Sequence, residues 1–469
     1  MGAGAGVAGL AVRLCNRGVV NPSVRRGAAD PAEPVPGCPV GPMADLIEDD
    51  LTFGRHRSGA VRGAYFPLAA FGGSAIGPLE DLLFTRRRLW GFGLALLFAY
   101  ATVFGGHIWL RDWPVTASGP RFIDFVSFWI NARFALTHAA AEAYQYAAFA
   151  AAQAPYVAVT RGDFPYFHLV YPPTLFPLVA PFGLLPFVAA LAAWIVATGS
   201  LHLLAVRRIL PHGVACVLAL LPFAVAKNVW LGQAGFLVAG LLGLCLGLMA
   251  RRPFIAGLFL GLLTCKPQFG LIFPVLLLVT GQWRVIAGAC VSFAALAASV
   301  TGLYGPAIWR AYLGAFGTSS LSNFMTDDVL DAIDQTVFGV MHWFGAGFAT
   351  KWTVHAVAAV LVTGLAWAIC RRPVSPSLKA AAMGIGALAV TPYMLAYDLT
   401  SLTIPAVFLV REGLETEFRP GERLTLLGCF LALFLMQAFP VGPFILAAMM
   451  VLVVRRVFAV SVVPMVFGR

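Results

Sequence analysis

Apolar runs of about 20 residues, the length a helix needs to cross a bilayer, recur along the chain and are separated by short basic clusters or proline-rich turns. Nothing else in the sequence constrains the fold as much. In hydrocarbon the backbone must satisfy its own hydrogen bonds, which leaves helices or a closed barrel. A barrel would show short alternating segments instead. The chain is 60% hydrophobic and only 11% charged, against about 25% charged in soluble chains. The expected fold class is therefore all-α and integral to the membrane. The bundle is polytopic, with about 12 transmembrane helices, one more or fewer because short apolar runs are ambiguous.

Charge sets the expected orientation. The formal net charge is +11, but the basic residues sit in clusters between apolar runs, as the positive-inside rule requires, and call for no nucleic-acid partner. Residues 1–88, rich in Gly, Ala, Pro and Arg, read as a cytoplasmic and largely disordered segment. Met43 opens M-A-D-L-I-E-D-D, a plausible alternative start that would leave residues 1–42 untranslated. Arg86, Arg87 and Arg88 then hold the near end of the first span, 89–110, in the cytoplasm. The loop 111–173 is consequently expected to be extracytoplasmic, and 459–469 to form a short cytoplasmic tail. Residues 174–206 are long for one span and short for two, and Pro177, Pro181 and Pro186 break them. Further spans are expected near 210–230, 234–250, 253–265, 268–281, 285–304, 352–370, 378–396, 399–411, 424–438 and 442–455. On this count Arg251–Arg252, Arg284, Arg371–Arg372, Arg411 and Arg455–Arg456 face the cytoplasm. The eight cysteines form no CxxC pair and no histidine has a metal-ligand spacing to another, so neither a disulfide framework nor a metal site is read.

The polar residues left over fall on the opposite side. The segment 121–133, R-F-I-D-F-V-S-F-W-I-N-A-R, places Asp124 at the start of a helix. Phe125, Phe128, Trp129, Ala132 and Leu136 give that helix one greasy face, with Ser127, Asn131 and His138 opposite, so it is expected to lie along the membrane surface. Asp124 is either an N-cap, a position Asp prefers, or a base near lipid and water. Lys266 interrupts an apolar stretch with no acid near it in sequence. It either snorkels at a helix end or offers a point charge to a phosphate. Asn228 and Gln233 lie in a turn between spans and either cap backbone or bond sugar hydroxyls. Tyr397-Asp398 is a boundary pair or a substrate contact. No P-loop, GxSxG or HExxH is present, so an ATP-driven transporter or metalloprotease has no support.

In order, D-F-V-S-F-W (124–129), Tyr144, Y-P-P (171–173), L-G-Q (231–233), C-K-P (265–267) and T-P-Y-M-L-A-Y-D (391–398) form a pattern. It resembles glycosyltransferase family 87, of the GT-C superfamily of membrane glycosyltransferases. The resemblance implies a GT-C-type domain over 89–458 with extracytoplasmic juxtamembrane helices. It implies transfer of a hexose, mannose above all, from a polyprenyl-phosphate sugar to a lipid or glycan acceptor at the outer face, with inversion. It makes Asp124 the general base and implies no required metal or other cofactor. Family members often carry a histidine near the outer end of a late span, and Y-M-L-A-Y-D lacks one. On this reading Lys266, Gln233, Asn228, Tyr171, Arg121, Tyr397 and Asp398 bind substrate, with Lys266 or Arg121 facing the departing phosphate. The protein is then a multi-pass enzyme of the inner or plasma membrane. A transporter or flippase of lipid-linked sugars shares the composition, but no inverted repeat is evident. An O-antigen-type polymerase would carry its large outer loop later in the chain.

Overall fold

The computed structural model describes residues 76–110, 124–137, 140–156, 169, 171–317 and 334–460, all within one compact unit, 64–469. The expectations placed on residues 1–75, on Arg121 and on the tail 461–469 lie outside the described residues. What is described is helical, and a lone antiparallel bridge joins Asp334 to Leu395.

Among the described residues, four helices are long and apolar enough to cross a membrane: Arg86–Gly106, Phe187–Ile209, Trp283–Tyr304 and Phe348–Cys370. Six further apolar helices run 10–17 residues, among them Gly235–Leu248 and Pro376–Val390. The helices fall close to the expected spans, but the count of about 12 is not reproduced by helices able to cross alone. The reason lies in the prolines. Pro267 and Pro274 carry no backbone N–H, and the run 253–279 breaks into Pro253–Leu262, two short 3₁₀ turns and Phe273–Val279. Likewise 173–184 forms short turns before the long helix starts after Pro186.

Gly235–Leu248 is the core helix. Twelve of its 14 residues are buried, so it is apolar all round, as a fully surrounded helix must be. Pro253–Leu262 and Trp283–Tyr304 approach so closely at Gly257 and Gly288 that a Cβ on Gly257 would lie 2.9 Å from the Gly288 Cα, the small-residue contact typical of membrane helix pairs. The first span instead turns Phe92, Phe98 and Val103 outward, as a lipid-facing helix does.

The two ends of the bundle differ in chemistry. At one end Arg456 and Glu422 form a buried ion pair, Glu422 also accepts from the Arg419 N–H, and Asp81 and Arg423 pair at 2.8 Å. Glu80 accepts from the Leu424 N–H, tying Ile76–Leu83 to the start of Glu422–Ala432. At the other end of Gly442–Val460, the Gly442 N–H donates to Gln335, whose own amide donates to Met436 O. Fourteen helical residues, roughly 21 Å of rise, separate this end from Arg456. The polar site lies at the Gly442 end.

Candidate active site

Asp124 begins the Phe125–Leu136 helix in an αR conformation, and its side chain makes no capping hydrogen bond. The capping alternative weighed above thus lacks its defining contact. The carboxylate turns instead to Gln233, whose Nε2 donates to Asp124 Oδ2 at 2.8 Å. Gln233 is oriented from two sides. Tyr171 donates its hydroxyl to Gln233 Oε1 at 3.4 Å, which fixes which end of the amide faces Asp124, and Trp194 Nε1 approaches Gln233 O at 3.4 Å. Tyr171 is placed in turn by Tyr144, which donates to its backbone carbonyl at 2.8 Å. Burial and the nearby Asp398 push the Tyr171 phenol well above its ordinary range, so it remains a donor.

Glycine makes this approach possible. Gly232 ends the Phe223–Leu231 helix with φ +66°, a left-handed cap. A Cβ there would sit 2.6 Å from both Phe125 Cβ and Leu191 Cδ1. The turn holding Gln233 therefore lies directly against the start of the Asp124 helix. Phe125 and Phe128 wedge that helix against Trp194, with ring centroids 6.3 and 5.4 Å away.

The Asp124 helix differs from expectation. Val126, Ile130 and Asn131 are buried along with the predicted greasy face, and Leu136 is the exposed one. It is a packed helix without a water-facing side over those positions. Asn131 is fully buried, and among the described residues neither of its amide atoms has a hydrogen-bond partner. Burial pushes the Asp124 carboxyl up to about 6, against the pull of the Gln233 hydrogen bond and the Lys227 charge.

Lys266 does not snorkel. It sits in the break between the two 3₁₀ turns, is 4% exposed, and meets Asp398 Oδ1 at 2.5 Å. Its ammonium lies over the rings of Tyr397, Phe269 and Tyr171 at 4.9, 5.5 and 5.7 Å, close enough for cation–π attraction. The acid missing from its sequence neighbourhood is supplied from 132 residues away. Asp398 Oδ2 accepts from the Leu395 N–H, while Asp334 accepts from the Met394 N–H and the Thr336 hydroxyl. These bonds hold the 391–398 turn rigid below the site. Asn228 is buried, and its Oδ1 accepts from the Gly235 N–H at 2.8 Å, the backbone-capping role considered for it. The structure thus brings Asp124, Gln233, Tyr171, Lys266, Tyr397 and Asp398 into one network and places Asn228 beneath it.

Sequence reasoning passed over Trp194 and Lys227. Lys227 carried the same signal as Lys266, a lone cation in an apolar run. The arrangement offers a tethered carboxylate of raised proton affinity beside amide and phenol hydrogen-bonding groups. Residues 168–396 match the model of glycosyltransferase family 87. No curated protein and no solved structure matches the chain significantly.

Proposed function

We propose, from the match of residues 168–396 to the model of glycosyltransferase family 87, that the chain is a membrane glycosyltransferase and that Asp124 is its general base. Its substrates on this reading are a polyprenyl-phosphate hexose, mannose first, and a lipid or glycan acceptor at the extracytoplasmic face. The observation that carries the reading is the Gln233–Asp124 hydrogen bond. The carboxylate comes from outside the matched segment, and the amide that aims it comes from inside.

The chemistry follows from those groups. As the acceptor oxygen bonds to the anomeric carbon, its proton passes to Asp124 and the polyprenyl phosphate departs from the opposite face, which inverts the centre. A carboxylate titrating near 6 is ionised at neutral pH yet more basic than an ordinary one, the balance general-base catalysis favours. As a residue Asp124 is half-buried, and on this reading the acceptor hydroxyl reaches its carboxylate. Lys266, paired with Asp398, is assigned to holding the rings of Tyr171 and Tyr397 in place. The departing phosphate then needs another cation.

The test is transfer of labelled mannose from a polyprenyl-phosphate donor by purified protein in nanodiscs, using extracted envelope glycolipids as acceptors. Label in a glycolipid whose anomeric configuration is opposite to the donor's is expected. Retention of configuration, or no transfer alongside donor movement across the bilayer, would overturn the reading.

A further inference from the structure

Helix Ala307–Gly317 reaches Asp124 through a series of side chains. It follows the span Trp283–Tyr304 after a turn at Gly305, whose φ of +74° glycine adopts without strain. Two contacts seat its first turn: Ile308 is fully buried, and Trp309 Nε1 donates to Thr301 Oγ1 at 2.9 Å. One turn on, Tyr312 lays its ring against Tyr144, with centroids 5.5 Å apart and planes at 56°. Phe176 packs on the Tyr144 ring as well, at 5.9 Å. The Tyr144 hydroxyl, so held, donates to the Tyr171 carbonyl at 2.8 Å. Burial and the neighbouring Tyr312 push the Tyr144 phenol well above its ordinary range, so it stays a donor. Tyr171 has little freedom of its own. Pro172 follows it with φ −68°, and a residue before proline is confined to extended backbone. Holding its carbonyl therefore holds the root of its side chain. That side chain ends in the hydroxyl that donates to Gln233 Oε1, and Gln233 Nε2 donates to Asp124.

We propose that Tyr312 and Tyr144 are positioning residues for Asp124, acting through Tyr171 and Gln233 from helix Ala307–Gly317. The inference takes Asp124 as the base of a transferase and adds the parts that hold it; neither tyrosine is assigned a contact with the reacting atoms. Two features favour positioning over plain packing. The hydrogen bonds run in one direction, each donor pointing along the series toward the carboxylate. The Tyr171 turn also has a second anchor that serves the other arm of the site. Thr174 donates to Thr264 O at 3.0 Å, two residues before Lys266. The turn is thus fastened to the Lys266 side without Tyr144, which leaves the Tyr144 bond to set the Asp124 side.

The experiment uses the full chain in nanodiscs. Asp124 is titrated by its infrared carboxyl stretch, assigned by its loss in Asp124→Asn, and transfer of labelled mannose is followed over the same pH range. The titratable groups facing the carboxyl are Lys227 and the phenols of Tyr171, Tyr393 and Tyr397, and the variants leave all four in place. Tyr144→Phe keeps the ring and deletes the bond to Tyr171. It should loosen the Gln233 amide, which favours the charged carboxylate, and raise the Asp124 midpoint by about half a pH unit, part of one hydrogen bond's worth. Tyr312→Leu should move it the same way, and Tyr312→Phe, which keeps the ring, by less. In a Gln233→Leu background neither Tyr144→Phe nor Tyr312→Leu should shift it further, because the series is already cut. Turnover at saturating donor should fall roughly tenfold with the donor KM unchanged, as for a base displaced by less than an ångström. Thr174→Val, which frees the other anchor of the same turn, should leave the midpoint at its native value. An unmoved midpoint in Tyr144→Phe, shifts that add to that of Gln233→Leu, or an equal shift in Thr174→Val would each overturn the inference. If Tyr144→Phe does not fold, Tyr312→Leu decides by the same comparisons. The infrared midpoint is read without turnover. Shifted midpoints in a protein that transfers no sugar would leave the positioning standing and remove the transferase reading.

Discussion

An asparagine at position 124 could still accept the Gln233 hydrogen bond but could not take a proton. Asp124→Asn should therefore lower transfer by about 10²–10⁴, the usual worth of a general base, while donor binding persists. Single-turnover transfer and donor photolabelling measured on the same preparation check this. Stability should move the other way. The folded carboxyl, titrating near 6, holds its proton more tightly than the unfolded one at 3.8. Folding is thus favoured by protonation, and that contribution is lost as pH rises through about 6. The Asn variant should melt no lower at pH 7 and should show a flatter dependence between pH 4 and 7. For the native enzyme, transfer should rise with pH and reach half its plateau near 6. Gln233→Leu removes a hydrogen bond that favours the charged form, so its half-maximum should move to higher pH. A pH–rate profile that does not move would remove Gln233 from control of the base. Sequence could not separate cap from base here, because both want an acid at a helix start. The contact that turns the carboxylate away from a capping position comes from Gln233, 109 residues downstream.

Turns carry the site more than helices do. The left-handed Gly232 cap presses against Phe125, so Gly232→Ala should displace the start of the Asp124 helix and reduce turnover at least tenfold without touching substrate. Unchanged turnover would show that the cap does not set the base. The two turns bearing Lys266 and Asp398 are joined by a buried ion pair. Lys266→Met alone should cost about 3–5 kcal/mol by orphaning Asp398, and the double variant Lys266→Met/Asp398→Leu should recover most of that. Thermal unfolding in detergent reads both. Failure of the double variant to recover would point to a role for the charges beyond pairing each other. The breaks themselves were legible, since Pro267 and the Gly-Gln dipeptide mark them in the sequence. Their partners were not, because local spacing carries no record of a contact made across the bundle. The burial of Asn131 was hidden for the same reason: its helix is covered on a side that the apolar pattern left polar.

At the scale of the whole molecule, the helix positions followed from hydropathy and proline, while the number of crossings did not, because half-length helices can enter a bilayer without spanning it. Orientation remains an expectation drawn from arginine placement, and it can be tested directly. In a chain whose eight native cysteines are replaced, Gln145→Cys, an exposed position beside the site, should react with an impermeant maleimide in intact cells. Labelling only after lysis would put the site in the cytoplasm. The buried Lys266–Asp398 pair also has a consequence for how the chain is made. Its members are 132 residues apart, so at about 5–20 residues per second the lysine waits roughly 7–26 s for its acid to be synthesised. During that interval it is a lone cation in an apolar surrounding, worth up to about 2.5–3.5 kcal/mol against insertion. A nascent chain stopped before Asp398 keeps that orphan charge permanently. Membrane quality control should clear such a fragment faster than one stopped just after it.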